Sequence, residues 1–306
     1  MQDEFSTVKT GGWKIRHRTA FIIRFIYLII ITNLLGSAAV SQTAPTEDRL
    51  ICNKIFSYAF EQKLIVKPMG TVMTAIGQKF IGAPYVGGTL DSSTTEHLVV
   101  NLRGFDCVTF VENIFALARA IKLNMLTYDA YARQLQMIRY RNGVMNGYSS
   151  RLHYFVDWIS DNRKKSILTD VTKELGGVAY HKPINFMTEH KESYKQLADD
   201  SVYTRLKNIE NDISNLPLYY IPKKSIARIE SKIQDGDIIA ITTGVNGLDI
   251  SHTGVAIHKK DGSLHLLHAP DKNGAIYITD ETLSRHLLAH KSQTGIMVAR
   301  AIELKN

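Results

Sequence analysis

The apolar residues change their spacing once along the chain, and that change limits the fold more than any other feature. Upstream they recur at helical spacing. Cys52, Ile55, Phe56 and Ala59 share one face of a helix opening near Thr46, and Val72, Met73, Ile76 and Phe80 form a stripe over Met69 to Phe80. Val111, Ile114, Phe115, Ala118 and Ile121 stack over residues 107–121, and Tyr131, Leu135 and Ile138 lie in a helix over Thr127 to Arg141. Downstream, β-branched runs bounded by Gly and Asp replace these stripes: Asp237–Thr243, Thr253–His258, Leu264–His268, Ala275–Thr279 and Gly295–Ala301. Short connections such as Lys259-Lys260-Asp261-Gly262 suit hairpins, hence an antiparallel sheet. Helices followed by strands predict an α+β domain, with N-terminal helices packed on a C-terminal antiparallel sheet.

Punctuation agrees with the periods. Glu47 and Asp48 suit the positive end of the first helix, and Gly82 with Pro84 stops the second. Asp106 stands in the N-cap position of the third, and Asn142-Gly143 ends the fourth. Leu152, Phe155, Val156 and Ile159 make a further stripe, leaving His153 and Asp157 as an i,i+4 pair that reads as a solvated helix face. Lys164 to Glu230 is polar and weakly periodic, expected to be mixed helix and loop. With the residues before it, roughly 122–230, it reads as a large insertion in a single domain spanning 42–306.

With 44% hydrophobic residues among 306, the chain can bury a core. The formal charge of +8 is scattered and no basic run is interleaved with aromatics, so no nucleic-acid partner is expected. The two cysteines stand in no CxxC or Cys/His zinc spacing, and neither a metal nor a cofactor is expected. At the N-terminus, Lys14, Arg16 and Arg18 precede an apolar stretch from Phe21 to Leu35, followed by Gly36, Ser37, Ala38, Ala39, Val40 and Ser41. That order reads as a secretory signal over residues 1–41, cut before Gln42. A permanent anchor is the other reading. The stretch beyond Arg24 falls well short of the about 20 residues a spanning helix needs. The expected location is therefore periplasmic or extracellular, with no stable membrane anchor after cleavage.

An exported chain that keeps only Cys52 and Cys107 needs a reason for each thiol. Cys52 lies on an apolar face and reads as core. Cys107 falls at the first turn of its helix, where free backbone amides and the helix dipole lower a thiol pKa, and in an ion pair with an imidazole it should alkylate rapidly at pH 6. A thiolate working by acyl transfer also needs an imidazole. His252 opens the run Thr253-Gly254-Val255-Ala256-Ile257, and His268 ends the next one. Adjacent hairpin strands would bring the two rings together, with His268 orienting His252. His265 competes with His268 but projects from the opposite face.

Five segments, in order, resemble the motifs of NlpC-type cell-wall hydrolases: Gly82-Ala83-Pro84-Tyr85-Val86-Gly87-Gly88, Phe105-Asp106-Cys107-Val108-Thr109-Phe110, Asp235-Gly236-Asp237-Ile238-Ile239, Ser251-His252-Thr253-Gly254-Val255-Ala256-Ile257 and Leu267-His268-Ala269. Thr109-Phe110-Val111-Glu112-Asn113 and Arg151-Leu152-His153-Tyr154-Phe155-Val156-Asp157-Trp158 resemble its N-acetylmuramoyl-L-alanine amidase-like branch. The resemblance implies a papain-like fold with the catalytic cysteine at a helix N-terminus. It makes Cys107 the nucleophile, His252 the base and His268 the orienting residue, with Tyr85 beside the thiolate for substrate or oxyanion. The implied partner is peptidoglycan or a muropeptide, cut between N-acetylmuramic acid and L-alanine. Cleavage between D-glutamate and the diamino acid, or wall binding without catalysis, are the alternatives. Val108 stands where commoner members have Ser, and the inserted length is expected to wall the cleft. Arg151, His153 and Asp157 are assigned no role.

Overall fold

The computed structural model describes residues 46–270 and 274–304. The segment read as an export signal, residues 1–41, lies outside them. No helix among the described residues is long and apolar enough to cross a membrane.

In chain order the elements are α1 (Thr46–Glu61), α2 (Met69–Gln78), α3 (Cys107–Lys122), α4 (Tyr128–Arg139), α5 (Phe155–Lys164), β1 (Leu168–Asp170), β2 (Val178–Ala179), the single turn α6 (Phe186–Glu189), α7 (Asp200–Ser214), β3 (Tyr219–Pro222), β4 (Ile238–Thr243), β5 (Ile250–His258), β6 (Leu264–His268), β7 (Tyr277–Ile278), α8 (Leu283–Ala289) and β8 (Gln293–Ala301). The strands join in the order β2-β3-β8-β4-β5-β6-β7, with β1 also on β8. Every pairing is antiparallel. The α+β expectation holds, and all five runs read as strands are strands, although Ala275–Thr279 shortens to β7.

Every residue of β4 is buried, so both faces of the sheet are covered. On one face Ile238, Ala240, Val255, Leu267 and Met297 pack with the helices; on the other Ile239, Ile241, Ala256, Leu266 and Ile296 meet Ile226, Ile229, Leu283 and Leu287. Each such side chain fully buried is worth about 1.5–3 kcal/mol. Helix α3 is buried on nearly all sides, which makes it the axis around which the other helices pack. It carries a buried ion pair to α4, Arg139 Nε to Glu112 Oε2 at 2.7 Å.

Two expectations are corrected. The stretch Lys164–Glu230 is not only helix and loop, because β1, β2 and β3 lie within it, and β1 and β3 both pair with β8. These strands are two to four residues long and are held by a distant partner, so no local alternation marks them. His153 and Asp157 do not share a solvated helix face. The Leu152 N–H donates to the Arg139 carbonyl at 3.0 Å, which keeps residues 151–152 extended and starts α5 only at Phe155. Asp157 is buried and accepts two bonds from Arg141, at 3.1 and 2.6 Å. The His153 ring donates from Nε2 to the Tyr148 carbonyl at 2.8 Å.

Candidate active site

The start of α3 is built by a reciprocal cap. Asp106 is extended, its carboxylate accepts from the Thr109 N–H at 2.7 Å, and the Thr109 hydroxyl oxygen accepts from the Asp106 N–H at 3.0 Å. Thr109 is thereby satisfied, which leaves the N–H groups of Cys107 and Val108 for the sulfur of Cys107, the first helical residue. A third N–H, that of Thr253, faces the same sulfur from β5. Cys107 is thus seated against the strand that carries His252.

The segment just before Cys107 holds the loop with Tyr85. Phe105 donates to the Pro84 carbonyl at 3.1 Å and accepts from the Val86 N–H at 2.9 Å, while the Tyr85 N–H reaches the Gly274 carbonyl at 2.9 Å. The Tyr85 ring lies over Gly87, where an added Cβ would come within 3.3 Å of it.

His252 follows a β-bulge: Ile241 pairs with His252 and Thr242 with Ile250, so Ser251 is the extra residue. Bulges re-aim the side chains beside them. His252 Nε2 lies 2.6 Å from His268 Nδ1, with the rings perpendicular at 89°. The hydrogen bond is diagonal, since His268 stands opposite Gly254, one step beyond the Val255–Leu267 pair. A Cβ on Gly254 would lie 2.9 Å from His268 Cβ and 2.9 Å from the Leu266 side chain. Gly254→Ala should therefore push His268 off His252 and lower kcat about 10- to 100-fold with little change in KM. Steady-state kinetics check this, and an unchanged kcat would mean that the imidazole pair tolerates displacement. His265 is held elsewhere, by Ser263 Oγ at 2.7 Å and the Thr279 carbonyl at 2.8 Å.

The electrostatics overturn one expectation. Burial first, and the Asp106 carboxylate second, push the Cys107 thiol up to about 12, against the three backbone N–H donors that favour the thiolate. The helix start alone does not offset that burial, so the proton of the thiol has to be taken by an imidazole for the sulfur to attack. Burial, and then positive charge at His252, His286 or His290, pull His268 down to about 2, so it stays neutral. Alkylation of Cys107 is now expected to quicken steadily between pH 6 and 9, while Cys52, fully buried with its thiol also raised to about 12, stays unlabelled. Peptide-resolved iodoacetamide kinetics decide this, and a rate already level at pH 6 would restore the preformed thiolate.

Arg151, His153 and Asp157 form support around the site. Arg151 is buried, donates to Asp91 at 2.5 Å and to the Leu90 carbonyl at 2.9 Å, and so ties down the segment after the Tyr85 loop. Burial, then Arg151, hold His153 down to about 3. Two neighbours of His268 carried no signal in the sequence: Tyr277 and His286, with ring centroids 4.8 and 5.7 Å from it.

Residues 75–296 match the AmiA-like family, described as N-acetylmuramoyl-L-alanine amidase-like. Among solved structures, the chain is similar to an N-acetylmuramoyl-L-alanine amidase from Bacteroides uniformis ATCC 8492, at 38% identity over 76% of this chain and 99% of that one, with a TM-score of 0.72. A Bacteroides fragilis protein provisionally named a xylanase is 39% identical over 73% of this chain and 98% of its own, with a TM-score of 0.68. A Legionella pneumophila protein at 21% identity, covering 84% of this chain and 95% of its own, shares the fold with a TM-score of 0.62. No curated protein matches the chain.

Proposed function

The chain belongs to the AmiA-like, N-acetylmuramoyl-L-alanine amidase-like family, and from that premise we propose that it is an exported, papain-like cysteine amidase of the NlpC type. Its substrate is peptidoglycan or a muropeptide, and the bond cut joins the muramoyl lactyl carbonyl to the L-alanine amine. The observation that carries the reading is the placement of the Cys107 sulfur against the Thr253 N–H, one residue from the His252 ring that bonds His268 at 2.6 Å. Imidazoles rather than a pair of carboxylates gather there, which favours acyl transfer over glycoside hydrolysis.

In the proposed reaction His252 takes the Cys107 proton as the sulfur attacks the carbonyl carbon. The oxyanion is held by the Cys107 N–H and Tyr85. Collapse breaks the C–N bond, His252 returns its proton to the departing amine, and a thioester remains. Water, deprotonated by His252, then releases the lactyl carboxylate and restores the thiol.

The test is mass spectrometry of defined muropeptides after incubation with the protein. Release of an intact peptide beginning with L-alanine is the expected result. An L-Ala-D-Glu stub left on the sugar would move the cut to the D-glutamyl bond, and no product from wall or fragments would leave a binding module.

A further inference from the structure

The loop between β4 and β5, residues 244–249, stops just short of His252, and the inserted segment grips it. The Lys182 ammonium donates to the Thr243 and Leu248 carbonyls, at 2.6 Å each, so one cation ties the last residue of β4 to the approach to β5. The N–H groups of Asn185 and Phe186, where the chain enters α6, both donate to the Gly247 carbonyl at 3.0 Å. Gly247 has φ +72°, and a Cβ there would come within 2.7 Å of Asn185 Oδ1, so the two backbones meet only because this residue is glycine. Asp249, 2% exposed, ends the loop. Its carboxylate accepts from the Val156 N–H at 2.9 Å and also from the Phe155 N–H, and the Tyr180 hydroxyl donates to its carbonyl at 3.2 Å. Helix α5 depends on that carboxylate, because Tyr154 in its N-cap position makes no side-chain cap. The cap of α5 is thus supplied by the loop that feeds β5.

What this grip sets is the entry of β5. Ile250 pairs with Thr242 and His252 with Ile241, with Ser251 bulged out between them. A bulge can relax only if the strand end before it slides, and here that end is held by Asp249 in α5 and by Lys182 on Leu248. Directly after the bulge come His252 and the Thr253 N–H that faces the Cys107 sulfur. We propose that Lys182 and Asp249 are positioning residues, which hold the bulged entry of β5 so that His252 and the Thr253 N–H meet the Cys107 sulfur. The inserted segment, expected to wall the cleft, thereby also governs the chemical step. The inference rests on the nucleophile reading above and deepens it. Neither residue moves a proton; both act by keeping the reacting groups in register, where a small displacement costs rate.

Iodoacetamide labelling of Cys107 at pH 7, read by peptide mass spectrometry, tests this without needing a substrate, and steady-state kinetics on muropeptides accompany it. Lys182→Met should label Cys107 about three- to tenfold more slowly than the unsubstituted protein, and lower kcat about tenfold while KM stays within about twofold. Lys182→Arg, which keeps a cation for the two carbonyls, should recover most of both rates. Asp249→Asn, which keeps one acceptor for α5, should be slowed less than Asp249→Ala. Cys52 should stay protected throughout. Should an Asp249 variant expose Cys52 and so report misfolding, the half-buried Lys182 decides through Lys182→Met alone. Equal Cys107 labelling in Lys182→Met and the unsubstituted protein would overturn the proposal, and a rise in KM alone would leave the insertion as a wall. A Cys107 that labels no faster than Cys52 in the unsubstituted protein would overturn it together with the nucleophile reading. Slowed labelling in Lys182→Met with no muropeptide product from any form would uphold the positioning and remove only the substrate.

Discussion

Cys107→Ala is expected to lower muropeptide hydrolysis at least about 10⁴-fold while leaving the fold intact. In the proposed reaction the sulfur forms the acyl intermediate, and the cap that builds this helix start, Asp106 with Thr109, does not involve it. Removing one half-buried atom should therefore change the unfolding free energy by less than about 1 kcal/mol. Cys107→Ser should fare little better, because a hydroxyl is far harder to deprotonate than a thiol. Product mass spectrometry over time, beside a urea titration of each variant, gives both numbers. Hydrolysis by Cys107→Ala above a hundredth of the parent rate would point to water, or another side chain, as the attacking group.

Mild acid should weaken the fold through two imidazoles. His268 is held down to about 2 and His153 to about 3, from an ordinary value of 6.5. In the unfolded chain both take up protons as pH falls below about 6.5, whereas in the folded chain they do not, so stability is lost progressively from there toward the folded values. At pH 4.5 each contributes a loss of roughly 2–3 kcal/mol, against a total stability of about 5–15 kcal/mol. Glu96, Glu112 and Asp249, held above the ordinary carboxylate range chiefly by burial, work in the opposite direction. The imidazole contribution is therefore read as a difference. His268→Asn and His153→Gln should each flatten the dependence of unfolding free energy on pH by about 1.4 kcal/mol per unit between about pH 6 and 4. Urea titrations at pH 6.5, 5.5 and 4.5 measure it. Parallel slopes in parent and variants would show that these rings are not kept neutral by the fold.

The parts of the molecule that were legible in the sequence are those whose signal is local. The stripe on α3, the Asp106 cap and the β-branched runs of β4, β5, β6 and β8 each write their period or punctuation into consecutive residues. The His252–His268 contact was legible because one hairpin places the two within reach. Where distant partners decide the outcome, reading failed. Strands β1 and β3 exist through β8; His153 is drawn off a helix by the extended pairing of Tyr140 with Arg151. The Cys107 thiol illustrates the same limit, since the helix start is local but the burial that acts against it depends on the whole fold. Helix α8 is seven residues long and carries His286 to His268 from outside the hairpin, which no spacing announces.

The position of β8 has a consequence for how the protein is made. It is the last described element in the chain, yet it lies inside the sheet, between β4 on one side and β1 and β3 on the other. A nascent chain emerging from its N-terminus completes the β4–β5–β6 hairpins and the helices while the seam that joins them to β1 and β3 is still missing. Until Gln293–Ala301 is available, the edges of β1, β3 and β4 that pair with it stay open. Cooperative closure thus waits for Gln293–Ala301, and the sheet is completed last at its interior.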